Sequence, residues 1–175
     1  MRRIGIGLLI LAGLFAVLFI AGLLVPERLV IPVDGADEND WNHQTFWYAP
    51  WGASGVHRGI DIFAATGTPV ISATPGVVVF QGELVRGGDV VLVLGPKWRL
   101  HYYAHLSRID VARGQWVGRG ETVGLVGTTG NAANRPPHLH YTIVTPIPHV
   151  WVDQSGPHGW QRMFFLTPHA MLMAR

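Results

Sequence analysis

From Ile4 to Val25 the chain runs through 22 residues without a charge, an Asn, a Gln or a Pro. A segment apolar on every face cannot lie on the surface of a water-soluble domain, and so it separates itself from whatever else folds. As a helix rising ~1.5 Å per residue it reaches about 33 Å, enough to cross the hydrocarbon core of a bilayer. Arg2 and Arg3 precede it, a bias that holds the N-terminus in the cytoplasm and exports the rest. A cleaved signal peptide is the alternative. Such peptides carry apolar cores of roughly 7–15 residues followed by a small-residue cleavage site. This run is longer, and its end, Ala21-Gly22-Leu23-Leu24-Val25-Pro26, has no such site. Residues 1–25 are therefore expected to form a retained single-pass anchor in the cytoplasmic membrane, with the remainder on the periplasmic or extracytoplasmic side.

The run inflates the hydrophobic content of 49%, but the remaining chain is long enough for one domain. The formal charge of +2 comes from Arg2 and Arg3. Of the 13 Lys and Arg, 11 remain to balance the 11 Asp and Glu. The exported part is neutral and has no basic stripe, so nucleic acid is not an expected partner. The absence of cysteine excludes disulfides and thiolate metal sites. Residues 26–50 hold Pro26, Pro32, Gly35 and an acidic cluster of Asp34, Asp37, Glu38 and Asp40, and read as a solvated linker. The sharper alternative is a pro-like segment lying over a functional site.

From residue 51 to 146 the texture changes to short β-branched runs punctuated by glycine turns. The runs are Pro69–Ala73, Val77–Gln81, Val90–Leu94, Arg99–His105, Thr122–Val126 and His138–Val144. Turn signals between them include Thr74-Pro75-Gly76, Arg86-Gly87-Gly88, Gly95-Pro96 and Gly127 to Gly130. The spacing predicts a mainly β domain, a compact antiparallel sheet closing into a barrel or sandwich. Residues 147–175 form an aromatic and Pro-rich extension, apolar toward its end, with helical periodicity only in the last dozen residues.

Within the β region lie three polar signatures: His57-Arg58-Gly59-Ile60-Asp61, Tyr103-Ala104-His105 and His138-Leu139-His140. Together they supply four histidines and one carboxylate, the hard and borderline donors that zinc takes. His57 and Asp61 are four apart. On a straight strand their Cα atoms would stand ~13 Å apart, too far for one ion. A bend is needed, and Gly59 offers one. His138 and His140 fall on one face of a strand, so both imidazoles can enter one pocket, one as metal ligand and one as proton carrier. His105 ends a strand-like run, and a regular strand would put Tyr103 and His101 on the same face. His43, His149, His158 and His169 lie outside these signatures and read as surface or packing residues. A catalytic zinc site keeps an open position for water, and neighbouring histidines accept the proton and hold the oxyanion. No H-E-x-x-H, P-loop or nucleophile elbow competes.

The stretch from Val56 to Val144 resembles the lysostaphin/LytM-type zinc metallopeptidases of bacterial cell walls. The matching pieces are His57-Arg58-Gly59-Ile60-Asp61-Ile62, Gly67-Thr68-Pro69-Val70, Tyr103-Ala104-His105-Leu106, Gly127-Thr128-Thr129-Gly130 and His138-Leu139-His140, in that order. The resemblance implies an antiparallel β fold with a groove across the sheet. It implies Zn2+ held by His57, Asp61 and His140, with His105 and His138 as the catalytic histidines. It also implies hydrolysis of peptidoglycan stem or cross-link peptides by metal-activated water. Two departures stand out. The loop Asn131 to Pro137 is long and Pro-rich, and Tyr141-Thr142 stands where Phe-Glu is common in the family. Tyr102, Tyr103, Trp51 and Trp98 are candidates to line the groove, with core packing as the commoner role for each, and Arg58 and Arg135 are candidates to meet substrate carboxylates, with a solvated surface position as the alternative. Two alternatives to a wall endopeptidase are a non-enzymatic regulator of wall hydrolases and a zinc peptidase acting on non-wall peptides.

Overall fold

The structure, a computed structural model, describes residues 2–174. The apolar run forms helix α1 (Arg2–Leu24); Met1, the first residue of the expected anchor, lies outside the described residues. Its stretch Gly7–Leu24 has a mean hydropathy of 2.8 and is not buried against the rest of the molecule. It is long and apolar enough to cross a membrane.

The rest is a mainly antiparallel β domain, as expected, of nine strands: β1 (Ile60–Phe63), β2 (Pro69–Ile71), β3 (Gly76–Leu84), β4 (Gly88–Leu94), β5 (Leu100–Ile109), β6 (Trp116–Val117), β7 (Thr122–Val126), β8 (His138–Val144) and β9 (Phe165–Leu166). The main path runs β1-β8-β5-β4-β3-β6, with β7 joining β5 to β2 and β9 added to β8. β7 and β8 have the bounds predicted from sequence. β1, β6 and β9 were not predicted; each is four residues or fewer, too short for alternation to register.

Strand β5 changes partner midway. Its first half, Leu100 to Ala104, pairs with β8, and its second half, from Leu106, pairs with β7. The β4–β5 register slips between the Asp89↔Leu106 and Val91↔Tyr103 pairs, which marks a bulge. This divergence opens the cleft. On β8, Leu139, Tyr141 and Ile143 are fully buried in the core, so the alternate residues His138, His140 and Thr142 face the cleft. The core continues through Ile60, Ile62, Val70, Val78, Val91, Val93, Leu106, Val123 and Val126.

The segment 26–50 is not the solvated linker that its acidic cluster suggested. Val33 and Trp41 are 2% and 4% exposed and belong to the core. Backbone bonds from Val30 to Ala73, Ile71 to Pro32 and Asp34 to Pro69 lay it along β2. Burial of these two side chains and the pairing with an edge strand outweigh the charges, which stay at the rim. Asp34 faces away from the active cleft, toward a second depression beside Ile71 and Leu172. The C-terminal extension also packs on the domain. Leu166 and Leu172 join the core, the latter from the short helix α2 (Pro168–Met173).

Candidate metal centre

Sheet register brings two of the three predicted ligands together. Asp61 of β1 stands opposite His140 of β8, and His140 opposite Ala104 of β5. His57 lies just before β1, not on it, and the chain folds back there. His57 Nε2 and His140 Nδ1 lie 3.0 and 2.8 Å from Asp61 Oδ1, and 3.1 Å from each other. These three donors form the one cluster of metal-ligating geometry among the described residues. Gly59 serves differently from the expectation. It does not occupy the left-handed region, and the bend does not depend on its φ. A Cβ there would overlap the Tyr141 carbonyl and the Thr142 hydroxyl, so glycine lets the β1 approach lie against β8.

His105 is placed by the β5 bulge. Its φ is 67°, a left-handed conformation uncommon for a residue with a Cβ. The irregularity turns the imidazole into the cleft, its ring 5.1 Å from that of His138 and 5.9 Å from that of His140. It also breaks the alternation on which the face assignment for Tyr103 and His101 rested. Tyr103 is fully buried in the core, its hydroxyl accepting from Ala73 N at 2.9 Å, and it does not line the cleft. Burial pushes its phenol up to about 12. Tyr103 is thus a core residue and not the substrate-binding residue expected from the sequence. His101 is likewise fully buried, bonded to the Tyr141 hydroxyl at 2.7 Å and to Glu27 at 3.1 Å.

Backbone carbonyls set the histidine tautomers. His57 Nδ1 lies 3.2 Å from Thr45 O, His105 Nδ1 2.9 Å from Thr129 O, and His138 Nδ1 2.8 Å from Pro136 O. A carbonyl only accepts, so each Nδ1 carries a proton, and Nε2 is the atom left to offer a lone pair to a metal or to water. At His57 that lone pair faces the Asp61 carboxylate oxygen, an arrangement that favours a cation between them. His140 is reversed: Nδ1 joins the cluster, while Nε2 meets the Thr142 hydroxyl at 3.1 Å. Such outer partners fix ligand orientation. The donor set, two imidazoles and one carboxylate, suits zinc, and the residues fit a metal.

Electrostatics agree. Burial alone would raise the Asp61 carboxyl, but hydrogen bonding, from His140 first, outweighs it and holds the group well below the carboxylate range. Burial, aided by the nearby His140 and His138, lowers His105 to about 4. Burial also lowers His140, against the pull of Asp61. These groups thus stand as two neutral imidazoles and a carboxylate.

The cleft above them measures about 540 Å³. Trp51 and Tyr102 line it as expected, Trp51 stacked on the His57 ring at 4.2 Å. Trp98 does not. It stacks on Phe19 of α1 and donates its indole N–H to Phe19 O at 2.8 Å. Arg58 and Arg135 reach the cleft, joined by Arg86, which sequence reasoning passed over. Arg58 Nη2 donates to Gln161 Oε1 at 2.9 Å, and its guanidinium is lowered by burial first and then by the charge of Arg86. Thr45, Thr129, Pro136 and Thr142 were also missed. Thr129 lies inside the Gly127 to Gly130 motif, and Pro136 and Thr142 stood out only as departures from the family pattern; Thr45 carried no signal.

The sequence matches peptidase family M23 over residues 55–151. It is 39% identical over 88 residues to the peptidoglycan DD-endopeptidase ShyA of Vibrio cholerae, an alignment covering 50% of this chain and 20% of that protein. The chain thus spans about a fifth of the length of that relative. Among solved structures, the catalytic domain of the antimicrobial peptidase lysostaphin from Staphylococcus simulans superposes with a TM-score of 0.61 at 26% identity, covering 74% of this chain and 90% of that one. A zinc-containing peptidase from Vibrio cholerae gives a TM-score of 0.54 at 28% identity, covering 67% and 37%.

Proposed function

The chain belongs to peptidase family M23, and from that premise we propose that it is a zinc-dependent endopeptidase that cuts peptidoglycan stem or cross-link peptides. The observation that carries this reading is the convergence of His57 Nε2, Asp61 Oδ1 and His140 Nδ1 beside two further histidines in one cleft. The similarity to a peptidoglycan endopeptidase and to a zinc-containing peptidase supports the choice of substrate and metal.

In this reading His57, Asp61 and His140 hold the ion. A bound zinc ion polarises the scissile carbonyl and lowers the pKa of water. The protein's own groups do the rest. His105 and His138 have Nδ1 tied to backbone carbonyls and turn Nε2 to the cleft, where one of the two accepts the proton of the attacking water. The resulting imidazolium donates to the oxyanion and then returns the proton to the leaving amine. Helix α1 anchors the chain in the cytoplasmic membrane with the β domain on the extracytoplasmic side. Its apolar length supports the anchoring, and Arg2 and Arg3 at its start support that orientation.

The test is digestion of purified cross-linked peptidoglycan by the full chain in detergent, with mass analysis of the fragments and metal content measured in parallel. Wild-type protein is expected to carry one zinc ion and release new amines. His140→Ala should lose both, and His105→Ala should keep the metal and lose hydrolysis. Hydrolysis that persists in chelator-stripped, metal-free protein refutes the proposal.

A further inference from the structure

Asp61 is the one acidic residue that lines the cleft, and its carboxylate is occupied by His57 and His140. Three arginines, Arg58, Arg86 and Arg135, line the same cleft. None of them forms an ion pair with a carboxylate among the described residues; the paired arginines, Arg99, Arg108 and Arg162, lie elsewhere. A cleft with this balance is electropositive before any metal enters, and a divalent ion adds to it. An anionic ligand relieves the imbalance.

Arg58 is built into its place. It is half-buried, its Nη2 donates to Gln161 Oε1 at 2.9 Å, and its Nη1 reaches Ser54 O at 3.4 Å. The guanidinium lies 6.0 Å from the centroid of the Phe165 ring, a cation–π contact. All of these partners are neutral. They fix the orientation of the fork and leave its charge uncompensated. Gln161 and Phe165 come from the C-terminal extension, which therefore completes the cleft rather than ending the chain idly.

We propose that Arg58 and Arg86 form a carboxylate-recognition subsite that selects anionic peptides for this centre, with Gln161 as the residue that positions Arg58. The proposal rests on the peptidase reading and deepens it by naming the substrate class. Guanidinium and carboxylate pair through charge-assisted hydrogen bonds, and a carboxamide in the same place keeps the shape but loses the charge. The recognised carboxylate belongs either to a side chain or to the C-terminus of a stem peptide.

Three synthetic cross-linked stem-peptide dimers separate these sources: one with all carboxylates free, one amidated at the side chain and one amidated at the C-terminus. With the full chain in detergent micelles, amidation of the recognised carboxylate should lower kcat/KM about tenfold or more, mainly through KM. Arg58→Gln and Arg86→Gln should bring the free dimer down to the amidated one. Gln161→Ala should shrink the ratio less and raise KM with kcat kept, which a merely structural residue would not do. Arg113→Gln, on the exposed surface outside the cleft, should leave the ratio unchanged. Equal kcat/KM for all three dimers, or an unchanged ratio in Arg58→Gln, overturns the subsite. Binding of the same dimers to His105→Ala, read by calorimetry, keeps the two readings apart. Carboxylate-dependent binding without any turnover by wild type refutes only the peptidase. Turnover without carboxylate dependence in either measurement refutes only the subsite.

Discussion

Thr142 stands where the family commonly has Glu, and its hydroxyl meets His140 Nε2 at 3.1 Å. Its cost of loss belongs to the metal, because an outer partner orients the ligand ring. Thr142→Val keeps the shape and deletes the hydroxyl, and should weaken zinc binding about tenfold in a competition titration with a chromophoric chelator, the range typical for outer-shell partners. Unchanged affinity would mean that His140 is oriented by packing alone. A second residue-scale consequence concerns acid. His105 is lowered to about 4 and His140 is lowered as well, both by burial first. In the unfolded chain histidines titrate near ~6.5, so between that pH and about 4 the unfolded state binds more protons. Unfolding free energy of the metal-free protein should therefore fall as pH drops through this window, by roughly 1–3 kcal/mol for His105. Asp61 does not contribute there. Its carboxyl is lowered, so its stabilisation is present above the unfolded carboxylate range and is lost only as pH falls below that range. Thermal melts of chelator-treated protein from pH 7 to pH 4.5 check this, with the slope expected to flatten in His105→Ala. The same shifts predict that peptidase activity persists below pH 6 and collapses toward pH 4, as the proton-accepting imidazole becomes charged.

Strand β5 carries its function in its irregularity. The bulge that frees Leu106 to pair with β7 also sets His105 at φ 67° and aims its ring at His138 and His140. The strain has a measurable sign. His105→Gly removes the side chain and suits a positive φ, whereas His105→Ala removes the side chain and keeps the Cβ penalty. Both should be inactive, yet the glycine variant should be the more stable by about 1 kcal/mol in chemical denaturation. Equal stabilities would show that the backbone there is unstrained. The bulge also explains why the sequence was legible on one side of the cleft and not on the other. β8 keeps strict alternation, so His138 and His140 could be placed on one face from spacing alone. Across the cleft, the same reasoning put Tyr103 beside His105, and the register slip sends Tyr103 into the core instead. No local signal marks a slip that is imposed by two different neighbours of one strand. Gly59 was legible as necessary but for another reason, since its constraint comes from Tyr141 and Thr142, some eighty residues away. Gly59→Ala should pry β1 from β8, destabilising the domain by more than about 2 kcal/mol and lowering zinc content together.

At the scale of the whole molecule, the segments flanking the β domain turn out to be part of it, and sequence could not reveal this because their partners are remote. Glu27 lies in the segment read from sequence as a solvated linker. In the structure its side chain is 1% exposed, ion-paired with Arg99 and bonded to His101, which in turn bonds Tyr141. Burial alone would raise its carboxyl, but His101 and Arg99 outweigh that and lower it. Trp98, next to Arg99, sits on Phe19 and Gly22 of α1, so helix and β domain meet through one turn of chain at Pro96–Trp98. A buried pair adds little net stability over an apolar replacement, but removing one member strands the other charge. Glu27→Ala leaves Arg99 at 14% exposure with no carboxylate and should lower the unfolding free energy by about 3 kcal/mol. Urea unfolding of the full chain in detergent micelles, followed by tryptophan fluorescence, measures it. Arg99→Ala should cost less, because Glu27 keeps its bond with His101. The double variant should then lose less than the sum of the two, by roughly 1–3 kcal/mol of coupling. Additive losses would mean that Glu27 and Arg99 act independently, and that the turn at Trp98 alone joins the apolar helix to the domain.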